Sequence, residues 1–264
     1  MKIAIIGAGN MGGAIACGLA KGSGVKPCDI TCSDRSGAAL EKVCGKYPAI
    51  RTTTDNREAV SGADMVVIAV KPWLTGDVLR EIKYGLDYRR QIVVSIVAGV
   101  TFEQLTGFLE KEREEPPALF RLIPNTAVSV QNSMTFISAQ GASQEQTDAV
   151  VSIFGELGAT MLVEERLMEA GTALASCGIA YAFRYIRAAM EGGVELGFYP
   201  DRARDIVLQT LKGAVALLQA GGAHPEAEID RVTTPGGITI RGLNEMEEAG
   251  FTAAVIRGLK ASCK

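Results

Sequence analysis

The 264-residue sequence holds one histidine, His224, and one tryptophan, Trp73. A histidine acid/base or a Ser-His-Asp triad would therefore rest on a single residue in the Gly-Gly-Ala-His-Pro loop that ends at Pro225. The six cysteines (Cys17, Cys28, Cys32, Cys44, Cys177 and Cys263) form no CxxC pair and do not cluster with histidine at ligand spacing, so no metal site is expected. Neither sign of charge dominates: 27 Lys+Arg stand against 30 Asp+Glu, a net charge of −3. That balance supplies no basic field for nucleic acid and no polybasic face for a membrane. The longest charge-free stretch, Leu122 to Gln144, is interrupted by Pro124, Asn125, Gln131 and Asn132, which excludes a spanning helix there. No basic n-region with an apolar h-region opens the chain, so reduced thiols and a cytoplasmic location are expected.

What the sequence does have is concentrated at its start. Lys2-Ile3-Ala4-Ile5-Ile6 is an apolar, β-branched run of the kind buried in a parallel sheet, and it leads directly into Gly7-x-Gly9-x-x-Gly12 at the mouth of an apolar helical stretch. Gly7 permits the turn, Gly9 leaves room for a pyrophosphate, and Gly12 lets helix and strand pack closely. Bare N–H groups at the helix start would face the phosphates. Asp34, at the end of a second apolar run, stands about twenty residues on, where a ribose hydroxyl needs an acceptor. Asp34 favours NAD, whereas Arg35 beside it suits the 2′-phosphate of NADP, and the residues alone leave both open.

Further along, apolar strands alternate with helical segments. The runs 63–70, 91–97 and 118–123 end in Lys71-Pro72-Trp73, Ala98-Gly99-Val100-Thr101 and Pro124-Asn125-Thr126. Strand ends of this kind border the ligand in a doubly wound sheet, which makes Ala69, Val70, Lys71 and Pro72 cofactor candidates. Thr101 and Gln104 read as a capping box. Glu110 to Glu115 reads as a solvent-facing charged loop. The rhythm predicts parallel pairing with right-handed crossovers, an α/β Rossmann-type domain over residues 1–164. From residue 165 no strand pattern remains, and 165–264 is expected to be an all-α C-terminal domain. Asp201 to Ala220 is its clearest amphipathic helix, with Asp201 as cap. Ala170 to Phe183 is apolar nearly all round, which predicts a helix buried on every side and dimerisation through this half.

Near the C-terminus, Thr234-Pro235-Gly236-Gly237 forms a turn into a helix that begins at Ile238. Two glycines at a helix start, with the hydroxyls of Thr234 and Thr239, make either a compact carboxylate site or an ordinary turn. Together with the GAGNMG loop (Gly7 to Gly12, including Asn10 and Met11), Asp55-Asn56, Ala69 to Pro72, Ala98 to Thr101, Arg121-x-x-Pro124-Asn125-Thr126 and Ala180 to Phe183, the stretch Thr233-Thr234-Pro235-Gly236-Gly237-x-Thr239 resembles the pyrroline-5-carboxylate reductases over essentially the whole chain.

The resemblance implies hydride transfer from NADP(H), or NAD(H), to the ring C=N of 1-pyrroline-5-carboxylate, giving L-proline. It places Asn56 on the adenosine side of the cofactor and Ala69 to Lys71, Ala98 and Asn125 on the nicotinamide side. Val232, Thr234, Gly236, Gly237 and Thr239 would hold the substrate, with Thr239 as the catalytic hydroxyl. It also implies a homodimer through the C-terminal helices, a higher oligomer of dimers being left open. The chain departs from the family's usual Ser-Gly-x-Gly-Pro-Ala-Tyr in having Ala175-Ser176-Cys177-Gly178-Ile179-Ala180-Tyr181. Two alternatives carry different expectations. A β-hydroxyacid dehydrogenase would carry a catalytic lysine in the helical half, where Lys212 lacks any motif. Reductases of other small imino or hydroxy acids stay open, as does a dinucleotide-binding regulator without turnover.

Overall fold

The computed structural model describes residues 1–112 and 114–263. Arg113, in the predicted charged loop, lies outside them. Two compact units are present, Met1–Ser176 and Cys177–Lys264.

In the first unit β1 (Ile3–Ile6) passes through the glycine loop into α1 (Asn10–Lys21). There follow β2 (Ile30–Ser33), α2 (Gly37–Lys46), β3 (Arg51–Thr53), α3 (Asn56–Val60), β4 (Met65–Ile68) and α4 (Thr75–Ile82). Next come β5 (Ile92–Ser95), α5 (Phe102–Leu109), β6 (Leu119–Ile123), β7 (Ser133–Gln140), α6 (Gln144–Gly155), β8 (Gly158–Leu162) and α7 (Met168–Gly171). The eight strands make one sheet in the order β3-β2-β1-β4-β5-β6-β7-β8. Order reverses at β1, between β2 and β4, so the crevice beyond the carboxyl end of β1 is where a doubly wound sheet binds its ligand. Ile3 and Ile5 pack with Ile15 and Leu19 on one face, and Ala4 and Ile6 with Leu79 and Val93 on the other. That two-sided burial explains why β1, β4 and β5 read as unbroken apolar runs.

One pairing differs from the uniformly parallel sheet that was predicted. β7 lies antiparallel to β6, with Ile123 opposite Phe136. The connection, Pro124 to Asn132, contains only a 3-10 turn (Thr126–Val130), too short for the crossover a parallel neighbour requires. The predicted capping box of Thr101 and Gln104 forms, and the structure adds a second, Ser143 with Gln146. The last strand ends at Leu162, yet the first unit runs on to Ser176 because Met168 is buried against Ile123 and Phe136.

The second unit contains α8 (Gly178–Glu195), α9 (Pro200–Gly221), α10 (Pro225–Val232), α11 (Ile238–Glu248) and α12 (Phe251–Ala261). Asp201 is not the cap of α9: Tyr199 precedes Pro200 at the first helical position, and Asp201 supplies the acid of the first turn. The helix predicted from Ala170 to Phe183 is not one uninterrupted element. A π turn at Thr172–Cys177 interrupts it, and Leu174 and Phe183 are exposed. Leu196 is 84% exposed and Tyr199 82%. A helical unit as small as Cys177–Lys264 cannot cover this much apolar surface within one chain. Among the described residues no single helix is long and apolar enough to cross a membrane.

Candidate functional site

The first unit builds its site around a loop that only glycine allows. Gly7 adopts φ +103°, and a Cβ there would lie 2.7 Å from the Ala69 carbonyl oxygen. At Gly12 a Cβ would lie 1.9 Å from the Gly7 carbonyl oxygen, so α1 sits directly on the loop. The Gly7 N–H donates to the Ser33 carbonyl (2.7 Å) and the Ala69 N–H to the Ile6 carbonyl (2.8 Å), joining the ends of β1, β2 and β4. Gly9 caps α1 with no side-chain bond, and nothing lies within 4 Å of a Cβ built on it. The first N–H groups of α1 are thus open to an anion.

Beyond that helix start lies a cavity of about 730 Å³. Of the residues expected to bind cofactor, Gly7, Gly9, Asn10, Met11, Asp34, Arg35, Asn56, Ala69, Val70, Lys71, Pro72 and Ala98 line it. Gly12 acts behind the wall, through packing. Asn125 does not line the cavity and is buried: its Oδ1 accepts from the Ala127 N–H (3.0 Å), and its Nδ2 donates to the Ala175 carbonyl (3.4 Å) inside the π turn. Trp73, 75% exposed, follows Lys71 and Pro72 on a 3-10 turn.

Asp34 faces inward. Its Oδ2 accepts the Ala8 N–H and its Oδ1 the Ser36 N–H, both at 2.8 Å, so the carboxylate ties the glycine loop to the start of α2. Arg35 is exposed at the cavity wall and, among the described residues, has no ion pair or hydrogen bond from its side chain. Ser33, Asp77 and Glu81 also line the wall, and the sequence reading missed them. Asp77 pairs with Arg80 at 2.8 Å. A shape and chemistry of this kind fit a dinucleotide: open helical N–H groups for phosphate, apolar Ile6, Met11 and Val70 beside them, and polar groups at the β2 end.

The loop that carries Ala98 is anchored from below. Arg121 on β6 is buried, and its Nη1 meets Glu165 Oε1 at 2.6 Å. The same oxygen accepts the N–H of Phe102, the first residue of α5 (2.7 Å).

In the second unit the turn Thr234–Gly237 forms as expected. The Gly237 N–H donates to the Thr234 carbonyl (2.9 Å), and Gly237 caps α11 with no side-chain bond. Thr239, in the first turn, and Thr234 are exposed beside these open N–H groups, and Val232 closes α10. Arg241 Nη2 donates to the Gly236 carbonyl at 3.3 Å. His224 caps α10, its Nδ1 accepting from the Glu226 N–H, and is thereby given a structural role.

The family model described as pyrroline-5-carboxylate reductase dimerisation matches residues 165–264, and that described as NADP oxidoreductase coenzyme F420-dependent matches residues 2–99. Pyrroline-5-carboxylate reductase 1 of Dictyostelium discoideum is 38% identical over 98% of this chain, which spans about half (48%) of that relative's length. Pyrroline-5-carboxylate reductase 2 of the same organism is 35% identical over 100% of this chain and 91% of its own. A crystal structure of Plasmodium falciparum pyrroline carboxylate reductase with NADP bound superposes with a TM-score of 0.89 at 26% identity, covering 100% of this chain and 95% of that one.

Proposed function

Since the chain belongs to the pyrroline-5-carboxylate reductase family, we propose that it reduces the C=N bond of 1-pyrroline-5-carboxylate with NADPH to give L-proline. The observation that carries this reading is the open start of α11. A glycine-capped helix flanked by two threonine hydroxyls matches a small carboxylate, and it resides in the part of the chain matched by the family's own model.

Bound NADPH supplies a hydride; the chain supplies position. The open N–H groups of α1 hold the pyrophosphate, Arg35 and Asn56 the adenosine end, and Ala69 to Lys71 and Ala98 the nicotinamide side. Asn125 supports that side indirectly, by fixing the 3-10 turn after β6. A cyclic imine protonates readily and its iminium accepts hydride, so no strong acid is required. The N–H groups of Gly237 and α11 and the Thr234 hydroxyl orient the carboxylate, while the Thr239 hydroxyl hydrogen-bonds the substrate near its nitrogen.

A homodimer follows from the exposed apolar residues of the second unit, which a second copy of the same helices would cover. The free thiols of Cys17, Cys28, Cys32, Cys44 and Cys177 support a cytoplasmic location. The test is loss of reduced-nicotinamide absorbance with racemic 1-pyrroline-5-carboxylate, using NADPH and NADH in separate titrations. Turnover with proline as product supports the reading. Cofactor binding without turnover would overturn it in favour of a regulator or of another imine.

A further inference from the structure

Asn56 is expected at the adenosine end of the cofactor, and the structure shows what decides which way its amide faces. Asn56 Oδ1 accepts the hydroxyl of Ser33 at 2.5 Å, and its Nδ2 donates to Glu81 Oε2 at 2.9 Å. These two partners are not equivalent. A serine hydroxyl rotates to donate or accept, so Ser33 would accommodate either orientation of the amide, whereas the Glu81 carboxylate can only accept. Glu81 therefore sets the orientation: carbonyl toward Ser33, NH2 toward itself, with the second Nδ2 hydrogen left for the cavity that Ser33, Arg35, Asn56 and Glu81 all line. Glu81 also sits in the last turn of α4, at the negative end of the helix dipole, where a carboxylate is disfavoured. Its place there runs against local preference, as is common at functional positions.

We infer that Glu81 is a positioning residue that determines cofactor specificity, acting through Asn56. Asp34 already accepts the Ala8 and Ser36 amides, one on each oxygen, and beside it Asn56 and Arg35 bring N–H donors to the adenosine end. Donors match a phosphate, which only accepts; a free 2′-hydroxyl is better met by an acceptor. The inference rests on the dinucleotide reading above and concerns the 2′-phosphate of NADPH against the 2′-hydroxyl of NADH.

The sign of one substitution tests it. In Glu81→Gln the side chain can donate as well as accept, so Asn56 is free to turn its carbonyl to the cavity. The Kd for NADPH, measured by calorimetry on the full chain, should then rise about fivefold or more while that for NADH changes by less than about twofold. A field effect predicts the reverse, because the substitution removes a negative charge near a phosphate. Asp77→Asn is the control: the same charge is removed from the same wall, one turn earlier on α4, at a residue bonded to Arg80 rather than Asn56. It should leave the ratio of the two Kd values within about twofold of wild type. Tighter or unchanged NADPH binding in Glu81→Gln would overturn the inference, as would equal weakening of both cofactors. Wild-type protein that binds neither cofactor would instead overturn the dinucleotide reading and the inference together.

Discussion

Glu165→Ala probes the anchor beneath the Ala98 loop. The Arg121 side chain is 7% exposed and that of Glu165 37%. Removing the acid strands a guanidinium on an interior strand, where loss of one partner of a buried pair costs about 3–5 kcal/mol. Glu165 is more than a third exposed, so water reaches the vacated site and screens part of that cost. The same substitution also takes away the acceptor of the Phe102 N–H, about 1 kcal/mol. We therefore expect destabilisation of about 2–4 kcal/mol in urea unfolding, a lower midpoint at unchanged slope. Arg121→Leu/Glu165→Ala should recover part of it, since no unpaired charge is then buried. A single substitution that costs less than about 0.5 kcal/mol, or a double variant less stable than the sum of the two singles, would refute the argument.

Thr239→Ala should lower kcat/KM about tenfold or more through a lost hydrogen bond to substrate, with the Kd for cofactor unchanged; unaltered kinetics would remove Thr239 from the mechanism. Gly237→Val places a Cβ 2.5 Å from Thr234 Oγ1, so KM for the pyrroline should rise while cofactor binding holds, and equal weakening of both would point to misfolding. Gly12→Ala sets a methyl against the Gly7 carbonyl and should abolish measurable cofactor binding in calorimetry. Burial pushes the Cys32 thiol up to about 12 from 9.0. The unfolded chain therefore loses this proton first, and stability should fall by about 1.4 kcal/mol per unit as pH rises from 9 towards 12. Alkaline unfolding of Cys32→Ala should show a shallower slope over that window, and an identical slope would refute the assignment.

Much of the cofactor half was legible because its requirements are local. A four-residue apolar strand, three glycines and the capping pair Thr101/Gln104 each sit within a few residues of one another. What was not legible depends on partners distant in sequence. Glu81 lies 25 residues from Asn56, and nothing on α4 marks it apart from its awkward place at the helix end. The direction of Asp34 is likewise invisible until the glycine loop folds against it. The antiparallel turn of β7 was written in the shortness of the 124–132 connection, which the strand-helix rhythm obscured. The apolar girth of Ala170 to Phe183 marked a surface that a second copy would cover, but its composition carried no sign of the π turn at Thr172–Cys177.

Trp73 gives the protein an optical use unrelated to its chemistry. It is the sole indole in the chain and stands on the Pro72–Leu74 turn, next in sequence to Lys71 and Pro72 of the cavity wall. Its emission overlaps the absorption band of a reduced nicotinamide, so a bound dihydropyridine would drain its excited state by resonance transfer, while an oxidised one would leave it bright. With no second tryptophan to add background, one fluorescence trace from the unmodified protein would follow the redox state of whatever occupies the first unit, turnover by turnover.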